Sequence, residues 1–126
     1  MTAAIPALRE GDVIRPQGGA AHFVAADVTK SADLRAYVKA ALDTYGAIDC
    51  FLNNAGIEGK WAHTAEYEED AFDQVIAVNV KGVFLGLRHV LPVMLQQKRG
   101  AIVNTASVAG LVATPGCRLI SPRSMR

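Results

Sequence analysis

Short, continuous apolar runs alternate along this chain with segments whose apolar residues recur at helical spacing. The runs are AHFVAADV at 21–28, IDCFLNN at 48–54 and AIVNTAS at 101–107. Runs of this length and apolarity are typical of strands that are covered on both faces in a parallel sheet. The alternation therefore predicts an α/β fold in which three parallel strands are joined by helical crossovers.

The segment between the first two runs has the period of a helix. Leu34, Val38, Leu42 and Tyr45 are spaced four, four and three residues apart, which places them on one helical face. The spacing predicts a helix over 33–45. Gly46 is expected to end it, and Thr29 or Ser31 to cap its start.

A longer helix is predicted between the second and third runs, over 66–97. Its apolar stripe is wide, and Pro92 is expected to kink or break it. Gly82 and Gly86 form a Gly-x-x-x-Gly pair that favours close helix packing. The positions at helical spacing are Phe72, Val75, Ile76, Asn79, Val83, Phe84, Leu87, Val90, Leu91 and Leu95.

The composition and charge of the chain argue against several classes of function. The 126 residues carry a formal charge of +1, so no nucleic-acid partner is expected, and no apolar run reaches the length of a membrane span. Two cysteines give neither a disulfide framework nor a metal-binding pattern, and the three histidines lie on different elements, so no metal site is expected. We expect a cytoplasmic protein with an irregular lead-in at 1–17, one domain at 18–116 and an unstructured tail at 117–126.

The residues at the carboxyl ends of the apolar runs are the candidates for ligand binding, because parallel α/β sheets bind ligands there. They are Asp27 and Val28, the stretch 53–56 (NNAG), and Ser107. An Asp before Thr can also be only a helix cap, and Asn-Ala-Gly only a turn. The two asparagines can tie strands together through their amides or hold a sugar hydroxyl.

Four motifs, AADVT, IDCFLNNAG, AVNVKGVFLG and GAIVNTASVAG, occur in an order and at a spacing that resemble the short-chain dehydrogenases and reductases. The resemblance covers roughly 18–116. It implies a partial Rossmann-like, doubly wound parallel sheet with flanking helices, and an oxidoreductase that transfers a hydride between NAD or NADP and a small alcohol or ketone. It places Asp27 and Val28 at the adenine, and Asn54, Ala55 and Gly56 beside the adenosine ribose.

The resemblance also implies two catalytic residues. Ser107 matches the serine that hydrogen-bonds the substrate oxygen, and Asn79 matches the helix asparagine that holds a water in a proton relay. The alternatives are a loop serine that caps the next helix and a satisfied polar residue in a buried helix. A hydrolase nucleophile elbow is disfavoured because the glycines around Ser107 are wrongly placed. In the family, the long helix also contributes to a subunit interface, so the resemblance implies a homo-oligomer through 66–97.

Two parts of the family pattern do not occur in this sequence. One is the glycine-rich turn after a first strand, which holds the pyrophosphate. The other is Tyr-x-x-x-Lys, expected near Leu119 and Ile120, where the chain instead reads RLISPRSMR. We expect little or no activity from such a truncated chain, because the pair supplies the acid/base group.

The tail can be explained by a change of reading frame. One legal set of codons for 119–126, read from the third base of the first codon, encodes Tyr-Ile-Ala-Ser-Lys-His-Ala. We hypothesise that the tail from about Cys117 is a frameshifted reading, which sequencing of the gene would decide.

Two alternative functions remain open. One is a non-catalytic fragment that assembles with an intact relative, and the other is a small nucleotide-binding module. The sequence names neither the substrate nor the choice between NAD and NADP.

Overall fold

The computed structural model describes residues 15–108. The expected lead-in is described only at its end, where Arg15–Gln17 form a short 3₁₀ turn, and the expected tail lies outside the described residues. The main elements are α1 (Ser31–Tyr45), β1 (Cys50–Asn53), α2 (Glu69–Gln97) and β2 (Ala101–Asn104). A second 3₁₀ turn, Thr64–Glu66, precedes α2.

The sheet of the described region has two parallel strands, with Leu52 opposite Val103 and Asn53 opposite Asn104. The predicted α/β class with parallel strands is confirmed, and β1, α2 and β2 form a strand-helix-strand unit. The prediction of three strands is wrong for the described residues. The first apolar run joins no sheet in the described region, and Val24 and Ala26 of this run line a cleft together with Leu52 of β1. A strand needs a neighbouring backbone to complete its ladder of hydrogen bonds.

Helix α1 ends as predicted and begins differently. Gly46 adopts a left-handed conformation with φ of 77° and donates its N–H to the carbonyl of Leu42. The residue at the N-cap position is Lys30, without a side-chain cap, so the expected capping by Thr29 or Ser31 is wrong. Thr29 donates to Asp27 instead, and Ser31 Oγ lies 2.9 Å from Nε2 of His89.

Helix α2 continues through Pro92, and so Pro92 does not end it. The helix begins at Glu69, later than the predicted residue 66, with Glu69 and Asp70 in its first turn, where negative charge is favoured. Its middle, Ala77–Gly82, is a π segment, a widened turn that inserts an extra residue into the helical ladder.

The wide apolar stripe of α2 divides into a buried face and an exposed face. The buried face packs with α1 against the sheet, and Val90 is fully buried beside Val38, Ile48, Phe51 and Met94. Each large apolar side chain buried here contributes about 1.5–3 kcal/mol. The exposed face consists of Phe72, Ile76, Val80, Phe84, Leu91 and Leu95.

The two glycines of the Gly-x-x-x-Gly pair lie on the buried face. A Cβ on Gly86 would lie 3.0 Å from Cζ of Phe51, and one on Gly82 would lie 2.9 Å from Cγ2 of Val28. The pair therefore brings α2 close to β1 and to the extended run, as close helix packing requires.

The sheet is covered on one face only within residues 15–108. Phe51 and Asn53 point into the helical layer and are buried, whereas Leu52 and Val103 are 63% and 59% exposed on the other side. The carbonyls of Asp49 and Asn53 accept the N–H groups of Ala101 in β2 and of Thr105 just after it. The residues of β1 that alternate with these therefore direct their backbone groups towards the open edge. The described region thus presents an open strand edge and an apolar sheet face.

Candidate functional site

A cleft of about 520 Å³ lies where β1 and β2 end, beside the π segment of α2. Both strands end at the same edge because they are parallel, so the loops that follow them meet there. The lining residues are Asn54, Ala55, Gly56, Ile57, Glu58, Asn79, Val83, Asn104, Thr105, Ala106 and Ser107. Five of the seven predicted site residues, namely Asn54, Ala55, Gly56, Asn79 and Ser107, are therefore brought together.

The buried side-chain amide of Asn53 connects the elements that form this site. The side chain of Asn53 donates from Nδ2 to Oδ1 of Asn104 across the strands and to the carbonyl of Val83 on α2, both at 3.1 Å. Asn53 is the buried polar residue of the described core, where an unpaired amide would be costly. Its bonds fix β1, β2 and α2 relative to one another, as expected of an asparagine that ties strands together.

Thr105, the first residue after β2, joins the loops that follow β1 and β2. Thr105 donates its N–H to the carbonyl of Asn53 at 3.1 Å and its hydroxyl to Oδ1 of Asn54 at 2.7 Å. The hydroxyl bond fixes the amide of Asn54 with its Oδ1 towards Thr105. Ser107 follows two residues later and is exposed at the cleft.

Asn79 holds the loop that follows β1. Its Oδ1 accepts the N–H of Ile57 at 2.9 Å, and its Nδ2 donates to the carbonyl of Ile57 at 2.8 Å. The side chain thereby pairs with both backbone groups of one residue, as a neighbouring strand would. A water-holding role for Asn79 would have to share this amide or use the backbone of the π segment.

Ala55 and Gly56 leave the rim of the cleft without a large side chain. A Cβ on Gly56 would lie 3.5 Å from Oδ1 of Asn79, which is an ordinary contact, so space alone does not require glycine there. Ala55 and Asn54 also line a second cleft of about 220 Å³, which reaches Val28. The two clefts adjoin along these two residues.

Asp27 lines neither of these clefts. Its Oδ1 accepts the N–H of Thr29 at 3.0 Å and the hydroxyl of Thr29 at 2.7 Å, its Oδ2 lies 3.2 Å from Nζ of Lys30, and its own N–H donates to Asp33. The hydrogen bonds from Thr29, followed by Lys30, lower the pKa of the Asp27 carboxyl. Asp27 thus does not line the cleft that Asn54 and Ser107 line, and its carboxylate bonds to the turn that leads into α1.

The cleft can orient an oxygen-bearing ligand, but its lining residues within 15–108 include no acid/base pair. Its polar lining is formed by the amides of Asn54, Asn79 and Asn104, the hydroxyls of Thr105 and Ser107, and the carboxylate of Glu58. The hydroxyl of Ser107 is a donor for a carbonyl or alkoxide oxygen.

Six further residues line the cleft although the sequence pattern did not indicate a role for them in the site, namely Ile57, Glu58, Val83, Asn104, Thr105 and Ala106. Ile57 and Glu58 directly follow the NNAG turn, so their position after a strand end was the available signal. Val83 and Asn104 enter the site only because α2 and β2 pack beside that turn.

No group of three His, Cys, Asp or Glu residues within 15–108 could hold a metal ion. By length and composition, α2 is the one helix there that could cross a membrane, with a mean hydropathy of 1.3 over 18 residues. A core helix passes the same test, and one face of α2 packs against β1 and α1.

Known proteins match this chain over most of its length. The family model for short chain dehydrogenases matches residues 9–119. Levodione reductase of Leifsonia aquatica is 50% identical over 86 residues, which are 68% of this chain and 32% of the relative. The 2-(R)-hydroxypropyl-CoM dehydrogenase of Xanthobacter autotrophicus is 53% identical over 97 residues, 74% of this chain and 38% of that enzyme.

Solved structures share the fold of the chain. A crystal structure of NAD⁺-bound xylitol dehydrogenase superposes with a TM-score of 0.80 at 36% identity, over 84% of this chain and 41% of that one. The chain thus spans between about a third and two fifths of the length of these relatives. A parallel strand-helix-strand unit of a Rossmann-like fold, the NNAG turn at the strand end and the family match over 9–119 lead to one conclusion: the chain belongs to the short chain dehydrogenase family.

Proposed function

We propose that the cleft at the strand ends is part of the site of an NAD- or NADP-dependent oxidoreductase, in which a hydride passes between the nicotinamide and a small alcohol or ketone. The observation that carries this proposal is the convergence of Ser107, Asn79 and the Asn54–Gly56 turn on one cleft. Ser107 would donate to the substrate oxygen, and Asn79 would hold the loop at the site and take part in a proton relay. The partial NAD(P)-binding domain would extend over 18–116.

The described residues fit one part of the dinucleotide. Small, exposed residues at 55 and 56 leave backbone accessible in the first cleft, and Ala55 and Val28 both line the second cleft. This arrangement suits an adenosine that lies against Asn54, Ala55 and Gly56, with Val28 near the adenine. Asp27 would contact the adenine only if its bonds to Thr29 were shared.

The described residues do not fit the pyrophosphate. The turn from the extended run into α1 reads VTKS and the loop after β1 contains a single pair of adjacent small residues before Ile57, so neither presents a glycine-rich cradle. We therefore expect adenosine to account for most of the affinity of this chain for NAD, and turnover to be very low, since no Tyr-x-x-x-Lys occurs in the sequence.

The test is calorimetric titration of the purified chain with adenosine, AMP, NAD and NADP, followed by turnover assays with secondary alcohols. Asn54→Leu should weaken all four nucleotides, whereas Gln96→Leu, on the exposed side of α2, should not. Absence of saturable binding to any of them would overturn the proposal. Ser107→Ala should abolish residual turnover without changing nucleotide binding.

A second candidate function is assembly with a longer member of the family. The observations that favour it are the open edge of β1 and the adjacent exposed Leu52 and Val103. Strand edges and apolar faces of this kind bind other chains. Co-purification with an intact relative would support it, and loss of that complex in Leu52→Glu would place the contact on this face.

The exposed face of α2 would serve a different contact, a homo-oligomer through helix–helix packing. Its six apolar residues cover the length of the helix, and Phe84 and Leu95 are 55% and 73% exposed. The oxidoreductase proposal requires a small molecule and a second copy as partners, and it places the protein in the cytoplasm.

A further inference from the structure

Glu58 lines the cleft and is the one charged residue among the lining residues that belong to the described range, 15–108. The remaining lining groups are neutral amides, hydroxyls and apolar side chains. From the described lining residues, a ligand in this cleft therefore meets one negative charge and no positive charge.

The backbone on both sides of Glu58 is held in place. Asn79 binds both backbone groups of Ile57. Gly59 has a φ of 77° and packs so closely that an added Cβ would lie 2.8 Å from Cγ2 of Val75. The N–H of Lys60 donates to the hydroxyl of Tyr67 at 3.1 Å. The backbone of Glu58 is thus held at a fixed position at the edge of the cleft.

No cation of the described chain is paired with Glu58. Lys60, two residues away, forms its ion pair with Glu68, and the hydrogen bond and charge of Glu68 raise the pKa of Lys60. No hydrogen bond or ion pair of the Glu58 side chain is found within residues 15–108. The charge of Glu58 is therefore available to a ligand.

We infer that Glu58 is a specificity-determining residue, which makes this cleft favour neutral and cationic alcohols or ketones over those with a carboxylate or phosphate beside the reacting carbon. The inference rests on the proposed function, because it assumes that the substrate binds in this cleft. A carboxylate a few ångströms from a ligand charge of either sign, at a solvent-exposed rim, changes affinity about 5-fold. The carboxylate can also accept hydrogen bonds from a second hydroxyl of a neutral ligand.

The experiment uses three secondary alcohols of the same carbon skeleton, namely 1-amino-2-propanol, 1,2-propanediol and lactate, without cofactor. Their dissociation constants are measured by NMR titration of the purified chain. The wild-type chain should bind the amine about 5-fold more tightly than 1,2-propanediol, and 1,2-propanediol about 5-fold more tightly than lactate. Glu58→Gln should remove that preference, and Glu58→Lys should reverse it.

Two controls separate the possible failures. Glu66→Gln, an exposed residue of the second 3₁₀ turn outside the cleft, should leave the order of affinities unchanged. Asn54→Leu should weaken all three ligands alike. If no alcohol binds the wild-type chain, the proposed function fails and the inference fails with it. If the alcohols bind and Asn54→Leu weakens them, but Glu58→Gln leaves the preference intact, only the role of Glu58 is overturned.

Discussion

Asn79 and Gln97 lie about five helical turns apart on α2, and each holds both backbone groups of one residue at opposite ends of β1. Asn79 binds Ile57 beyond the carboxyl end of the strand, and Gln97 binds Ile48 before its start, with N···O distances of 3.1 and 3.0 Å. One helix thus fixes the strand and the loop after it through two side-chain amides. The position of the cleft depends on this pair.

Replacement of Asn79 should loosen the loop at the cleft. Asn79→Asp keeps an acceptor for the N–H of Ile57 but loses the donor for its carbonyl, so the chain should be destabilised by about 1–2 kcal/mol. Hydrogen exchange of the Ile57 amide should become faster by NMR. Lys81→Ala, an exposed change in the same π segment, is the control and should leave that exchange rate unchanged.

Replacement of Gln97 should act at the other end of the strand. Gln97→Ala leaves the N–H and carbonyl of Ile48 without their side-chain partners, at a cost of about 1–3 kcal/mol in the free energy of unfolding. Urea denaturation measures the loss. The neighbouring Gln96→Ala should change stability by less than about 0.5 kcal/mol. Equal stability of the two variants would contradict this role of Gln97.

A methyl group at Gly86 should be poorly tolerated. It would lie 3.0 Å from Cζ of Phe51 and 3.1 Å from Oδ1 of Asn53, so α2 or β1 must shift. Overpacking of this kind costs about 1–3 kcal/mol, which exceeds the gain of up to about 1 kcal/mol from the helix propensity of alanine. Thermal unfolding of Gly86→Ala should therefore show a lowered Tm, and Arg88→Ala, exposed on the same helix, should not.

The exposed face of α2 should govern self-association. A charge introduced by Phe84→Glu removes a large apolar contact worth about 1.5–3 kcal/mol, so the dissociation constant of an oligomer should rise at least about 10-fold. Sedimentation equilibrium measures it. Tyr45→Glu, at the end of α1, should leave the constant unchanged. A monomeric wild-type chain at high concentration would refute the proposed interface.

Asp27 should contribute to stability in acid. Its pKa is lowered in the folded chain, first by the hydroxyl and N–H of Thr29 and then by Lys30. A folded pKa below the unfolded value stabilises the fold above about pH 4, and that contribution is lost as the pH falls through the folded pKa. Asp27→Asn should therefore reduce stability at neutral pH and flatten its decrease below about pH 4. Asp73→Asn, which changes an exposed carboxylate on α2, should keep the slope.

Local pattern in the sequence determined the type of each element and the region of the site. Helical spacing predicted α1, Gly46 marked its end, and the continuous apolar runs predicted β1 and β2, although only one face of the described sheet is covered. The strand ends then indicated where Asn54 and Ser107 would meet.

Only the tertiary structure decided what depends on partners distant in the chain. The run at 21–28 has the composition of a strand, yet it forms no strand in the described region, since a ladder needs a second backbone at hydrogen-bonding distance. Likewise, the carboxylate of Asp27 bonds to Thr29 rather than lining the cleft, while Glu58 lines it because Asn79 fixes the residue before it. Composition and period report whether a residue is buried or exposed; which groups meet is set by packing between elements.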